Sequence, residues 1–375
     1  MADAPPLRIG IDARELSGTP TGVGRYLREL LDRWTRRHDA ARRELVLYRP
    51  ASAGRGAALD GVAVREVPGA GGTLWEQIAL PAAARTDRLS VFFAPAYTAP
   101  LALAAPAVLV VHDLSYVAQP AWFPWRTGLR RRLLTRLAAQ RAARVLTVSD
   151  FSRTEIVHLL GVPDDRIQVI LHGPPATARF GRQPAPVADR LPLVLFVGSI
   201  FNRRHVLDLV RAFGRVASQV ADARLVIAGP NRTHPREDPL AEATRLRLGD
   251  RVSVLDYVTD ATLGELYSQA SAFVFLSEYE GFGLTPLEAL AMRVPVVVHD
   301  TPVAREIYGE AAAYVRHDQP EAVAAAVVPL LRSAAAREAA LAPADHLFER
   351  YSWDRAADET LAALEAVGRA SGRVR

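Results

Sequence analysis

The 375 residues carry 46 basic and 41 acidic side chains for a net charge of +5, with half of the chain apolar and 23% charged, an ordinary balance for a globular chain long enough to form two or more cored domains. There is no cysteine, which excludes disulfides, thiolate metal centres and a cysteine nucleophile; there is no lysine either, so every lysine role falls to arginine or is absent. No apolar run approaches the roughly 18 residues of a membrane span, and residues 1–6 carry neither a basic nor an apolar signal region, which predicts a cytoplasmic protein.

Charge is uneven along the chain. Residues 1–185 hold 25 Arg against 16 acidic residues and residues 186–375 hold 21 against 25, so the first part is +9 and the second −4. The basic part would suit an anionic lipid surface or a polyprenyl-linked acceptor, making peripheral contact with the inner face of a membrane; arginine on solvated faces accounts for the same count. No nucleic-acid partner is expected.

Leu7–Asp12 predicts a first strand, and Thr21–Leu27 leads through Gly22 and Gly24 into a helix with apolar residues at 27, 30, 31 and 34. Further strands are predicted at Glu44–Tyr48, Val62–Val67, Val91–Phe93, Ala107–Val111 and Arg144–Val148, with helical patterns between several of them. Ser152-x-x-Glu155 has the form of a capping box. Composition then turns proline-rich from Pro174 to Pro192, as in a linker, with the boundary near 175–190.

After it the rhythm restarts, with strands at Leu193–Gly198, Arg224–Gly229, Val252–Leu255, Ala272–Leu276 and Val296–Val298 and a helix over 204–220. Ala-rich helices are predicted over roughly 320–332, 335–349 and 352–369. Short apolar strands alternating with helices predict an α/β fold of two Rossmann-like, doubly wound parallel-sheet domains. Their expected extents are 1–185 and 186–351, followed by a terminal helix over 352–375.

The stretch Ser277–Ala291 concentrates the most demands. A buried strand precedes it, Gly281 and Gly283 allow close backbone approach or a positive φ, and a helix starts after it, with Thr285 as N-cap, Pro286 at the first helical position and Glu288 completing a capping box. Strand, glycine turn and helix N-terminus together make an anion site at the carboxyl end of a sheet.

Glu280 and Glu288, with Gly-Phe-Gly between them and Pro295-Val-Val-Val following, resemble the E-x7-E signature of the family 4 retaining glycosyltransferases, which have the GT-B fold of two Rossmann-like domains facing a cleft. The resemblance extends over Val197–His205, Val111–Ser115, Val148–Ser152 and Gly309–Ala312, and in overall pattern is similar to bacterial mannosyltransferases. It implies a nucleotide-sugar donor site in the second domain and an acceptor site in the first. Glu280 would face the sugar near the reacting carbon and Glu288 the ribose. Gly281, Phe282, Gly283, Leu284 and Thr285 would surround the donor, with Gly198 and Tyr257 beside it and Gly22 and Gly24 facing the diphosphate.

Arg203 and Arg204 stand where the family has an Arg-Lys pair against the donor phosphates; a guanidinium keeps the charge and offers a bidentate fork. His112 would reach the transferred sugar or the acceptor hydroxyl, with Asp113 orienting it in the acceptor site. The terminal helix should return to the first domain. Arg293, Asp256 and His205 depart from the family's usual Gly, Gly and Asn.

Breaking a sugar–diphosphate bond leaves negative charge on the departing phosphate, which Arg204, loop N–H groups and a helix N-terminus can meet. No Asp-x-Asp occurs, no His/Asp/Glu cluster at metal-ligand spacing is expected, and no cofactor is needed beyond the donor. The resemblance implies a metal-independent hexosyltransferase that retains anomeric configuration by front-face attack, with domain closure excluding water, and a role in polysaccharide assembly. A non-catalytic nucleotide-sugar-binding subunit and a GT-B nucleotide-sugar epimerase are the alternatives; a phosphorylase needs a pyridoxal-phosphate lysine that this chain lacks.

Overall fold

The computed structural model describes residues 6–17, 22–36, 42–53, 62–174 and 177–372. The chain divides into two compact units, one of Met1–Ala118, Trp125–Gly173 and Tyr351–Arg375, the other of Gln119–Pro124 and Pro174–Arg350.

The first unit holds seven strands: β1 (Leu7–Asp12), β2 (Arg43–Pro50), β3 (Ala63–Val67), β4 (Val91–Ala94), β5 (Ala107–Val111), β6 (Arg144–Thr147) and β7 (Ile167–Val169). They form one sheet in the order β3-β2-β1-β4-β5-β6-β7, with parallel pairing throughout. Inner strands such as Val91-Phe92-Phe93-Ala94 are wholly buried, as expected where helices cover both faces of a parallel sheet.

The helix Gly22–Arg36 buries Tyr26, Leu27, Leu30, Leu31 and Trp34, a single face at helical spacing. The final helix, Trp353–Gly372, joins the same core through Trp353, Ala356, Ala357, Leu361 and Leu364. Trp34 Nε1 donates to its Ala357 carbonyl at 2.9 Å. The order of connection reverses between β1 and β4, where the first crossovers run one way from β1 and the later ones the other, so a crevice opens at the carboxyl ends of these two strands.

The second unit repeats the plan with β8 (Leu191–Val197), β9 (Arg224–Ala228), β10 (Val252–Leu255), β11 (Ala270–Phe275), β12 (Val296–His299) and β13 (Ala312–Val315). Their order is β10-β9-β8-β11-β12-β13, again parallel, with the reversal between β8 and β11. The described part of the proline-rich segment packs on this unit: Phe180 is buried against Tyr267, and the buried Arg190 guanidinium donates to the carbonyls of Tyr267, Ala270, Ala185 and Met292. Pro175 lies outside the described residues.

Local detail corrects three helix expectations. Ser149, not Ser152, caps the helix Asp150–Glu155, its side chain accepting from Ser152 N. The helix expected over 335–349 breaks at Pro343 into Ala334–Leu341 and Ala344–Leu347, since a proline removes a helical donor. The helix after Gly283 begins at Leu284 with Gly283 itself in the capping position at φ 85 and no side-chain cap, so Thr285 is its second residue and heads no capping box. Among the described residues no helix is long and apolar enough to cross a membrane.

Candidate active site

At the reversal point of the second sheet, β8 leads into Gly198 and β11 into Leu276–Gly283. Gly198 has φ +132, and a Cβ there would lie 2.7 Å from Arg204 Nη1, so the glycine is what lets the guanidinium lie against the strand end. The turn Asn202–Arg204 is closed by Arg204 N donating to Phe201 O at 2.9 Å and His205 N to Asn202 O at 3.0 Å. From it Arg204 Nη1 donates to Ser199 O at 2.9 Å and Nε to Glu280 Oε1 at 2.8 Å. The guanidinium lies 4.9 Å from the Phe275 ring centre, a cation–π contact that holds it in plane.

Ser277 Oγ donates to the same Glu280 oxygen at 2.9 Å. Both bonds fall on Oε1, so Oε2 has no protein hydrogen-bond partner among the described residues. The Glu280 and Arg204 side chains are 18% and 13% exposed, desolvated enough for their charges to matter and open enough for a ligand to reach. Arg203 is buried, its guanidinium over Phe201 and its carbonyl accepting Glu278 N at 2.9 Å.

The helix Leu284–Ala291 starts directly after this loop. Gly283 sits there because φ 85 disfavours any side chain and a Cβ would come 2.0 Å from Tyr308 Oη; the Tyr308 hydroxyl donates to Gly283 O at 2.8 Å. Gly281 and Phe282 are buried, while Leu284 and Thr285 are half-buried. One turn into the helix, the buried Glu288 carboxylate accepts from Arg179 Nη2 at 2.5 Å and from Tyr267 Oη at 3.3 Å. Tyr257, in the loop after β10, is 77% exposed.

The first unit has its own cluster at the reversal point. His112 follows the last residue of β5, and its Nε2 donates to Pro95 O at 2.8 Å. Its ring meets Tyr26 edge-on at 5.0 Å and stacks with His172 at 5.8 Å. Burial pushes the His112 pKa below its ordinary value, so the ring is neutral near pH 7. Asp113 accepts from Ser115 N and Oγ at 3.0 and 2.8 Å and from Tyr97 Oη at 3.0 Å. Tyr97 in turn lies edge-on to His112 at 5.7 Å.

Beside this cluster is a cavity of about 560 Å³ lined by Arg14, Gly22, Glu76, Tyr97, Arg130 and Arg131 among others. Its floor is a buried ion network: Arg14 bridges Asp12, at the end of β1, and Glu76, and Thr98 Oγ1 donates to Glu76 at 2.5 Å. Arg131 lies 3.9 Å from the Tyr116 ring centre and 4.6 Å from that of Tyr97. Gly22 opens the helix Gly22–Arg36, and the buried Gly24 lies in its first turn. A cavity of this size with Arg14, Arg130 and Arg131 in its lining suits a hydroxylated or anionic ligand.

Residues 20–175 match the family described as Glycosyltransferase Family 4, and residues 191–333 match the family described as Glycosyl transferases group 1. The chain belongs to the family 4 glycosyltransferases. It is 29% identical over 270 residues to the O-antigen chain mannosyltransferase B of Escherichia coli, covering 69% of this chain and 70% of that protein. It is 28% identical over 209 residues to the alpha-D-kanosaminyltransferase of Streptomyces kanamyceticus, covering 53% of each.

Among solved structures, sucrose-phosphate synthase from Thermosynechococcus elongatus superimposes with a TM-score of 0.73 at 17% identity, over 97% of this chain and all of that one. WaaG, a glycosyltransferase involved in lipopolysaccharide biosynthesis, does so with a TM-score of 0.70 at 16% identity, over 96% and 99%. These likenesses show the GT-B fold.

The chain is a glycosyltransferase. Its second unit gathers Gly198, Arg204, Glu280, Gly281, Phe282, Gly283 and Leu284 around one strand-end crevice, while Glu288 sits a turn deeper and Tyr257 stands on a separate exposed loop. Sequence reasoning missed Ser277 and Arg179, which hold the two glutamates, and His172, Tyr97, Arg14 and Glu76 in the first unit. It also expected no His/Asp/Glu cluster. The structure brings together ligand atoms of His205, Asp208 and His317, invisible as a motif because His317 stands 109 positions from Asp208.

Proposed function

We propose that this enzyme moves a hexose from a nucleoside-diphosphate sugar to a saccharide or lipid-linked saccharide acceptor with retention of anomeric configuration, and that the donor is GDP-mannose. The observation that carries the reading is the Arg204–Glu280 pair at the carboxyl ends of β8 and β11, beside the N-terminus of the helix Leu284–Ala291. A fixed cation and oriented N–H groups stabilise the charge that develops on the leaving diphosphate. In the bound state the diphosphate competes with Glu280 for Arg204, and the released Glu280 carboxylate accepts sugar hydroxyls and faces the positive charge developing at the anomeric carbon. Glu288, held by Arg179 and Tyr267, receives the ribose. Mannose is favoured by the likeness to an O-antigen chain mannosyltransferase.

In the first unit, neutral His112 is suited to hydrogen-bond the transferred sugar or the acceptor hydroxyl, and the arginine-lined cavity supports an acceptor site with room for a saccharide phosphate. The helix Trp125–Arg141 leaves Trp125, Leu129 and Leu133 exposed at 69%, 54% and 57%, one turn apart, with Arg130 and Arg136 also exposed. Apolar residues among cations favour a peripheral seat on an anionic bilayer, where a lipid-linked acceptor would lie.

The test is incubation with GDP-mannose, UDP-glucose, dTDP-rhamnose and ADP-glucose, following nucleoside-diphosphate release and the anomeric proton of the product by NMR. Release from GDP-mannose with retained configuration is the expected result; release from another donor alone, or inversion, contradicts the reading.

A further inference from the structure

We propose that His205, Asp208 and His317 form a binding site for a divalent transition-metal ion of the zinc class, one that staples the Arg204-bearing turn to the exit of β13 and takes no part in sugar transfer. His205 Nε2 lies 2.7 Å from Glu278 Oε2. A carboxylate only accepts, so Nε2 carries the proton, and Nδ1 of the neutral ring presents its lone pair. That lone pair faces Asp208 Oδ2 at 3.5 Å, an acceptor against an acceptor, which a cation between them turns from repulsive to attractive.

His317 Nδ1 donates to the same oxygen at 2.9 Å, a proton the metal displaces on binding, and the two imidazoles stack at 3.5 Å with planes 9° apart, so one ring turns for both lone pairs to meet a single ion. All three ligand atoms lie within 4.8 Å of one another. Ligands about 2.0–2.1 Å from a tetrahedral zinc stand roughly 3.3 Å apart, and the two measured separations of 2.9 and 3.5 Å bracket that. The other Asp208 oxygen accepts from Arg211 Nη1 at 2.7 Å, which turns Oδ2 toward the histidines.

The donor set is two imidazoles and one carboxylate with a fourth position for water, the borderline N/O chemistry that suits zinc. Glu278 behind His205 is the carboxylate–histidine arrangement that orients a ligating ring. His299 walls the cluster edge-on to His317 at 4.9 Å, its own Nδ1 directed to Val315 O at 3.1 Å. His205 ends the Asn202–Arg204 turn, Asp208 lies in the first turn of the helix Val206–Gln219, and His317 follows β13.

Untagged, chelator-stripped full-length protein is titrated with zinc alone by calorimetry and with cobalt by visible spectroscopy. One equivalent of zinc binds and raises the melting temperature, and cobalt gives visible ligand-field bands that zinc displaces. His205→Asn, which suits the left-handed φ of 48 while removing the imidazole, and His317→Gln each weaken zinc by more than 100-fold. Glu278→Gln weakens it by about 10- to 100-fold, and His346→Ala, at an exposed histidine elsewhere, leaves it unchanged. Absence of cobalt bands and of zinc uptake in the unaltered protein, or uptake indifferent to His205→Asn and His317→Gln, overturns the proposal; the cobalt measurement needs no variant and stands if one fails to fold.

Discussion

Arg204 Nε donates to Glu280 Oε1 at 2.8 Å, although the two residues stand 76 positions apart and sit on loops after different strands. Each offsets part of the other's desolvation, and each is held by a second bond, Arg204 to Ser199 O and Glu280 from Ser277 Oγ. On the proposed reading, a donor's diphosphate takes Arg204 from this pair and its sugar hydroxyls take Glu280.

Glu280→Gln keeps the shape and the Ser277 contact but removes the charge. Turnover falls by about 100- to 1,000-fold, the scale for deleting one preorganised electrostatic group, while the melting temperature changes little. Steady-state assay beside a thermal melt checks this, and near-normal turnover would remove Glu280 from the site.

Glu288 is buried, and its carboxylate accepts from Arg179. Arg179→Ala leaves that carboxylate short of its cation in a low-dielectric place, costing the fold about 3–5 kcal/mol. Arg179→Ala combined with Glu288→Gln recovers much of that stability, and chemical denaturation of the four proteins in a double-mutant cycle measures the coupling.

Arg293 occupies the left-handed region at φ 60, where the family resemblance places glycine. Its guanidinium pairs with Asp345 at 2.7 Å and Glu338 at 3.1 Å, but both carboxylates are exposed and such pairs contribute little. Arg293→Gly relieves roughly 1–2 kcal/mol of backbone strain against about 0.5–1 kcal/mol of added chain entropy, so stability rises by a few tenths to about 1 kcal/mol. A fall in the denaturation midpoint would show that the ion pairs dominate.

His172 and His112 are both held below the ordinary histidine range, chiefly by burial, with His172 further lowered by its stacked neighbour. As pH falls below about 6.5 the unfolded chain takes up protons that the folded unit refuses, so stability is full above that pH and is lost progressively beneath it. Melting temperatures between pH 5 and 8 should drop on the acid side, with a shallower slope in His172→Asn; equal slopes would mean that other groups govern the acid limb.

Much of the architecture was legible because parallel strands buried on both faces leave continuous apolar runs such as Val108–Val111 and Phe273–Phe275. The short strands Ile167–Val169 and Ala312–Val315 left no such run: each lies at an end of its sheet's order and has one buried residue, the others being partly or fully exposed. Within the candidate site, Glu280, Glu288, Arg204 and His112 were visible because they sit in motif-bearing turns. Ser277, Arg179 and His172 were not, since what recruits them is distance in the folded unit and no local spacing encodes it. The capping-box expectation at Thr285 failed because Gly283, at a positive φ, caps the helix two residues early, a choice invisible to a pattern of side chains.

On the proposed reading Arg204 meets the donor phosphates. Calorimetric titration of the unaltered protein and of Arg204→Ala with GDP, UDP, dTDP and ADP in the presence of a chelator tests it. One nucleoside diphosphate should bind the unaltered protein, and Arg204→Ala should weaken it by about 10- to 150-fold, the loss of a charge-assisted hydrogen bond of roughly 1.5–3 kcal/mol. Equal affinity in the two proteins would contradict a phosphate site at the ends of β8 and β11.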